Sequence, residues 1–283
     1  MTRHLPDFSI VGALRSGTTS LYHLLGRVPG ICLTDFKECD YFVEELNYNK
    51  GPDWYADLYN DHNLVCGDIS PNYASDGWFD GVPERLFKAA PNAKIFYIVR
   101  EPVERTRSHY YQMWSHREDM VAPKDIFDTP LGEHMLACSQ YMRQLNAYLK
   151  FFPKEQIHIL RFEDLKSNPA LIVKTVCDTL GVEISDEQLA ELKLQHRNSS
   201  QDLADVSNWW RSFGQWLRRN DIAIIRKATD LVPQALISTV KGLVAKKPQS
   251  DRQLPEFTAD IQNQVRDYLS EDNAQFEAFA KTL

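Results

Sequence analysis

Long hydrophobic runs are missing from this chain. None of its apolar stretches reaches the ~18 residues that a membrane span requires. The opening segment MTRHLPDFSIVGALRSG has too short an apolar run for a secretory leader. Cysteine is scarce: five residues, at 32, 39, 66, 138 and 177, form no C-x-x-C pair and are odd in number. That excludes a zinc ribbon, argues against a disulfide framework, and leads us to expect reduced thiols in a cytoplasmic protein. Basic charge is in deficit, 32 Lys and Arg against 39 Asp and Glu for a net −7, so a sequence-independent nucleic-acid binder is a poor fit. An anionic ligand must then be met by a local positive site. No H-x-x-x-H, H-E-x-x-H or Asp-rich ligand cluster occurs, so no metal is expected. Internal repeats and low-complexity tracts are absent too. The remainder, 43% hydrophobic and 25% charged over 283 residues, describes a globular protein able to bury a real core.

Short apolar runs alternate with longer amphipathic segments. Phe8 to Val11, Asn63 to Cys66, Lys94 to Val99 and Gln156 to Leu160 read as strands. Helical patterns fall near Thr18 to Val28, Pro83 to Ala90, Val103 to Ser115, His134 to Phe152 and Pro169 to Leu180. This spacing predicts an α/β fold, a mostly parallel sheet flanked by helices. The nearly all-apolar run Lys94 to Val99 suits a strand buried on both faces. Residues 203–253 differ in texture, with Trp209, Trp210 and Trp216, and from Arg218 to Lys247 seven basic residues against Asp221 and Asp230. This stretch reads either as a packed helical pair with a solvated basic face, or as a lid over an anionic ligand or a membrane-touching surface over 218–247. A last helix, Ala259 to Lys281, makes the C-terminal region helical.

Strand Phe8 to Val11 runs directly into Gly12-Ala-Leu-Arg-Ser-Gly-Thr-Thr-Ser-Leu21 and a helix. Gly12 and Gly17 have P-loop spacing, G-x-x-x-x-G, in which a glycine turn aims backbone N–H groups at an oxyanion held at the helix start. A nucleotide triphosphatase would need Lys directly after the second glycine. Thr18 stands there, and the positive charge comes from Arg15 inside the loop. A kinase-like reading is weakened accordingly. A second anion site is expected where the buried strand ends, at Arg100. Pro102 opens the following helix, and its Ser108 can join Arg100 in clasping one phosphate. Arg105 and Arg107, by contrast, are expected to pair with Glu101 and Glu104. Ligands bind at the C-terminal ends of parallel strands, so both loops should face one crevice.

Together these loops resemble the sulfotransferases that use 3′-phosphoadenosine 5′-phosphosulfate (PAPS), in which the first loop holds the 5′-phosphosulfate and an R-x₇-S element holds the 3′-phosphate. Arg100 and Ser108 have that spacing. Further along, Lys37-Glu-Cys-Asp-Tyr-Phe42 resembles the K-E-x-x-[YF]-F segment of the carbohydrate-type branch. Gly67-Asp-Ile-Ser-Pro-Asn-Tyr73 resembles its G-E-x-[ST]-P-x-Y strand and turn, and Leu160 to Leu165 followed by Pro169 resembles its Y-E-D-L…P segment. The tail is similar to the terminal helix of bacterial members.

The resemblance implies a single sulfotransferase domain over 1–283, including a terminal helix over 258–283. It implies PAPS as donor, 3′,5′-adenosine bisphosphate (PAP) as product, no metal, and a hydroxyl of a carbohydrate or small molecule as acceptor. The donor would be held by Arg15, Ser16, Gly17, Thr18, Thr19, Ser20, Arg100 and Ser108, with Arg197 the nearest counterpart of a late basic loop. Glu38 would act as general base, with Lys37 steadying the sulfonyl group and Arg15 the leaving group. Sulfuryl transfer resembles phosphoryl transfer, an in-line displacement in which positioning and charge stabilisation dominate. Asp40 stands where relatives often carry His or Asn; it reads as a sugar-hydroxyl ligand or an alternative base. Ser70 and Tyr73 are expected to shape the acceptor pocket or to pack. Two other readings remain: a solvated Lys37–Glu38 pair on a loop, and a protein that binds PAPS or PAP without catalysis.

Overall fold

A computed structural model of the chain describes residues 5–117, 119–192 and 253–283. Residues 203–253, except for the last, which include the basic, Trp-rich stretch, and Arg197 lie outside the described residues. Five strands form one sheet: β1 (Phe8–Gly12), β2 (Ile31–Leu33), β3 (Val65–Ile69), β4 (Lys94–Val99) and β5 (Ile157–Arg161). Their order is β2-β3-β1-β4-β5 and every pairing is parallel. The helices are α1 (Thr18–Leu25), α2 (Gly51–Ala56), α3 (Val82–Ala89), α4 (Pro102–His116), α5 (Pro130–Ala137), α6 (Tyr141–Leu149), α7 (Phe162–Ser167), α8 (Pro169–Leu180) and α9 (Ala259–Ala280).

The sheet is covered on both faces because its strands are apolar on both. Ile95, Tyr97 and Val99 of β4 enter one core with Leu86, Leu145, Phe152 and Phe276. The alternate residues Phe96 and Ile98 enter the other with Leu21, Leu25, Val173 and Val176. This is the two-residue period of a strand, read with helices on each side. The long α9 is tied into the first layer: Asp272 accepts from the N–H groups of Met142 (3.0 Å) and Arg143 (2.9 Å), capping α6, and Arg161 donates twice to Glu277 (3.0 and 2.8 Å).

The strand order places a topological switch at β1, whose neighbours β3 and β4 lie on opposite sides. The crevice beyond its C-terminal end is where an open parallel sheet binds ligands. Two sequence readings need correction. The second predicted strand, Asn63 to Cys66, is displaced to Val65–Ile69 and is preceded by the unforeseen β2, whose three residues are too few to show a period. The single helix His134 to Phe152 is two. Its break at Cys138 to Gln140 is held by tertiary bonds: the Ser139 hydroxyl donates to Pro102 O (3.2 Å), and Gln144 donates back to Ala137 O (3.1 Å).

Candidate functional site

Three loops meet at the carboxyl edge of the sheet. The first joins β1 to α1. Gly17, at φ 86°, caps α1 without a side-chain hydrogen bond, so the first amides of the helix have no partner within it. A free helix start of this kind suits an anion. The loop's remaining side chains divide by burial. Thr19 is exposed and Ser20 half-buried, whereas Ser16 and Thr18 are 0% and 5% exposed. At Ser16 the N–H donates to Ala13 O (3.2 Å) and the hydroxyl is buried without a partner.

The second loop follows β4 and leads into α4. Glu101 caps that helix, its carboxylate accepting from Val103 and Glu104 N–H at 3.2 and 2.7 Å. This explains why Glu101 does not pair with an arginine. Arg107 pairs with Glu104 as expected. Arg105 does not: it is fully buried and meets only neutral acceptors. Arg100 lies 4.8 Å from the Phe162 ring, 3.7 Å from Glu104, and donates to Arg15 O at 3.4 Å.

The two anion sites foreseen separately are joined directly, for Arg15 Nε donates to Ser108 Oγ at 3.2 Å. Arg15 keeps access to solvent while its guanidinium is crowded by protein. Loss of hydration, then the charges of Arg100 and Arg105, push its pKa down, and Glu38 opposes them. The crevice is therefore strongly positive within an acidic protein.

The third loop follows β2 and carries Lys37, Glu38 and Asp40. Lys37 donates to Glu38, and their side chains are only 8% and 16% exposed, so this is not a solvated surface pair. Glu38 and Asp40 adopt φ of 62° and 47°; with Arg15 at 68° they are the non-glycine residues of positive φ among those described. Such conformations persist where the surroundings over-determine them, as at functional sites. What holds this loop is a buried polar cluster centred on Asp68 of β3. Asp68 accepts from Tyr73 (2.7 Å), Ser70 (2.7 Å), Tyr55 (3.1 Å) and the Cys39 thiol (3.3 Å). Ser70 and Tyr73 in turn accept from the N–H groups of Asp40 (3.2 Å) and Phe42 (3.3 Å). Both hydroxyls thus support the loop from beneath. Asp40 is 5% exposed; Asn72 donates to its Oδ2 at 3.1 Å and its Oδ1 has no partner. Burial and the neighbouring Glu38 push its pKa well up. Asp68 and Asn72 were not singled out in the sequence, and Arg105 was expected only to pair with a neighbouring glutamate. Asp68 lies inside a quoted motif, but a lone acidic residue in a strand does not announce four partners.

Residues 5–205 match the sulfotransferase domain family. The chain belongs to that family. Over 202 residues it is 29% identical to the bifunctional heparan sulfate N-deacetylase/N-sulfotransferase 4 of Mus musculus, using 63% of this chain and 22% of that protein. Over 181 residues it is 26% identical to the human heparan sulfate glucosamine 3-O-sulfotransferase 5, using 60% of this chain and 51% of the other. The chain therefore spans about a fifth and about half of these two relatives. Among solved structures, a sulfotransferase from Alicyclobacillus acidocaldarius superposes with a TM-score of 0.65 at 20% identity, covering 98% of this chain and 96% of that one. Mouse sulfotransferase SULT7A1 complexed with PAP gives 0.50 at 16% identity, covering 98% and 87%. These likenesses show a shared fold, the sulfotransferase arrangement of a parallel sheet between helices. No cluster of metal-binding side chains occurs among the described residues, and no helix among them is long and apolar enough to cross a membrane.

Proposed function

We propose that the protein transfers a sulfuryl group from PAPS to a hydroxyl of a carbohydrate or small molecule. The observation that carries this is the Arg15–Ser108 contact, which joins the phosphate-type loop to the R-x₇-S element in one positive crevice beside Glu38. The open amides of Gly17 to Ser20 suit the 5′-phosphosulfate, and Arg100 with Ser108 suits the 3′-phosphate. Bound there, the donor supplies an activated sulfuryl group and leaves as PAP. Glu38 accepts the proton of the acceptor hydroxyl as the new S–O bond forms. In this reading Lys37, its partner, steadies the sulfonyl group, and Arg15 balances charge on the departing bisphosphate. Asp40, with its unpartnered oxygen, is a candidate acceptor ligand. The names of the two relatives above include heparan sulfate, which supports a carbohydrate acceptor. A cytoplasmic setting is supported by five free cysteines, all buried.

Calorimetric titration with PAP, with no metal added, tests the donor site against ATP and ADP as comparators. Binding of PAP alone is expected. A preference for ATP, or a need for magnesium, overturns the reading in favour of a kinase. Glu38→Gln should then abolish transfer in a PAPS-driven acceptor screen while leaving PAP affinity unchanged; near-wild-type turnover would remove Glu38 as base.

A further inference from the structure

Arg105, near the start of α4, is fully buried at 0% exposure. Buried arginines are ordinarily matched by a carboxylate, because an uncompensated charge in the interior is costly. Here every acceptor is neutral. Arg105 donates to Ser139 Oγ (2.5 Å), Leu14 O (3.3 Å), His109 Nδ1 (3.3 Å) and Met135 O. Among the described residues none of its bonds or ion pairs reaches a carboxylate. Arg105 and Arg100 both bear on Arg15 with the same sign of charge. Two guanidiniums, those of Arg100 and Arg105, thus flank the short loop that carries Arg15; Glu38 opposes them at Arg15, and Glu104 stands 3.7 Å from Arg100.

The Leu14 contact shows how a residue hidden from solvent can act on a ligand. A trans peptide points its C=O and its N–H in opposite directions. Holding the Leu14 carbonyl down onto Arg105 therefore turns the Arg15 N–H the other way, and Arg100 holds the next carbonyl, that of Arg15, at 3.4 Å. Carbonyl oxygens facing the crevice would repel an anion. Tied to two guanidiniums, they face cations instead.

We propose that Arg105 is a positioning residue of the donor site: from beneath the loop it turns the Leu14 carbonyl away from the crevice and supplies a buried positive charge whose counter-ion is the phosphate of the bound nucleotide, not a carboxylate of the protein. This rests on the PAPS reading above.

Two variants separate charge from hydrogen bonding. Arg105→Lys keeps the charge with fewer directed donors, and Arg105→Gln keeps amide donors without charge. PAP and neutral adenosine are titrated into each, with thermal melting of the free protein alongside. Arg105→Lys is expected to bind PAP within about threefold of wild type, and Arg105→Gln about tenfold or more weakly, with adenosine affinity unchanged in both. A merely structural arginine would lower the melting temperature and weaken PAP and adenosine in parallel; that result overturns the proposal, as does equal PAP loss in the two variants. If Arg105→Gln does not fold, Arg105→Lys decides: PAP affinity near wild type supports the proposal and a tenfold loss refutes it. Failure of the wild-type protein to bind PAP refutes the donor assignment instead, and is seen before any variant is made.

Discussion

Gly17 is the position at which backbone geometry, packing and ligand binding can be broken by one methyl group. Its φ of 86° lies in the left-handed region, and a β-carbon there would stand 2.8 Å from Phe162 Cδ2 and 3.0 Å from Leu165 Cδ2. The strain of a left-handed alanine costs roughly 1–2 kcal/mol. Overpacking against two side chains adds roughly 1–3 kcal/mol, because Leu165 is buried in the core and cannot retreat. Gly17→Ala should thus lose about 2–5 kcal/mol. At roughly 2–4 °C per kcal/mol for a chain of this size, the melting temperature should fall by about 4–20 °C. Phe162 is the softer neighbour, and Arg100 lies 4.8 Å from its ring, so relief by moving Phe162 displaces an arginine assigned to the 3′-phosphate. Urea unfolding followed by fluorescence measures the first effect and PAP titration the second. A stability loss under about 0.5 kcal/mol, the range of an indifferent surface change, together with unaltered PAP affinity, would refute both the left-handed turn and its coupling to Arg100.

Two further outcomes follow from the site. Ser108→Ala removes the hydroxyl that accepts from Arg15, and should weaken PAP binding about tenfold while sparing adenosine 5′-phosphosulfate, which lacks the 3′-phosphate. Equal loss for both nucleotides would deny Ser108 that selective role. His134, packed 4.5 Å from Trp78, has its pKa pushed from 6.5 down to about 4, by burial first and by Arg105 second. A histidine depressed in the fold takes up its proton first in the unfolded chain, so its contribution is intact above pH 6.5 and is lost as pH falls toward about 4. Urea midpoints measured between these limits should decline less steeply for His134→Gln than for wild type; parallel slopes would contradict the assignment.

The donor side of the site was legible in the sequence because its information is local. Gly12, Arg15 and Gly17 lie within one turn, and Arg100 and Ser108 on one strand end and the helix it feeds; strand and helix periods place them without reference to distant residues. The core of β4 was legible for the same reason, since an all-apolar strand needs two covering layers. The apparent charge pairing of Arg105 was also local, and it misled: Glu101 was taken by the helix cap, and burial carried Arg105 under the first loop to Leu14, 91 residues away in the chain. The support of Glu38 and Asp40 by Asp68, Ser70, Tyr73 and Tyr55 was equally out of reach, because those partners come from separate segments and converge only when β2 and β3 pair. Residue types and spacings therefore determined the kind of chemistry the chain can house. Which charges are neutralised, which hydroxyls are buried as props and which face the crevice were decided by tertiary packing, where each buried polar group must find its partner from whatever the fold brings near.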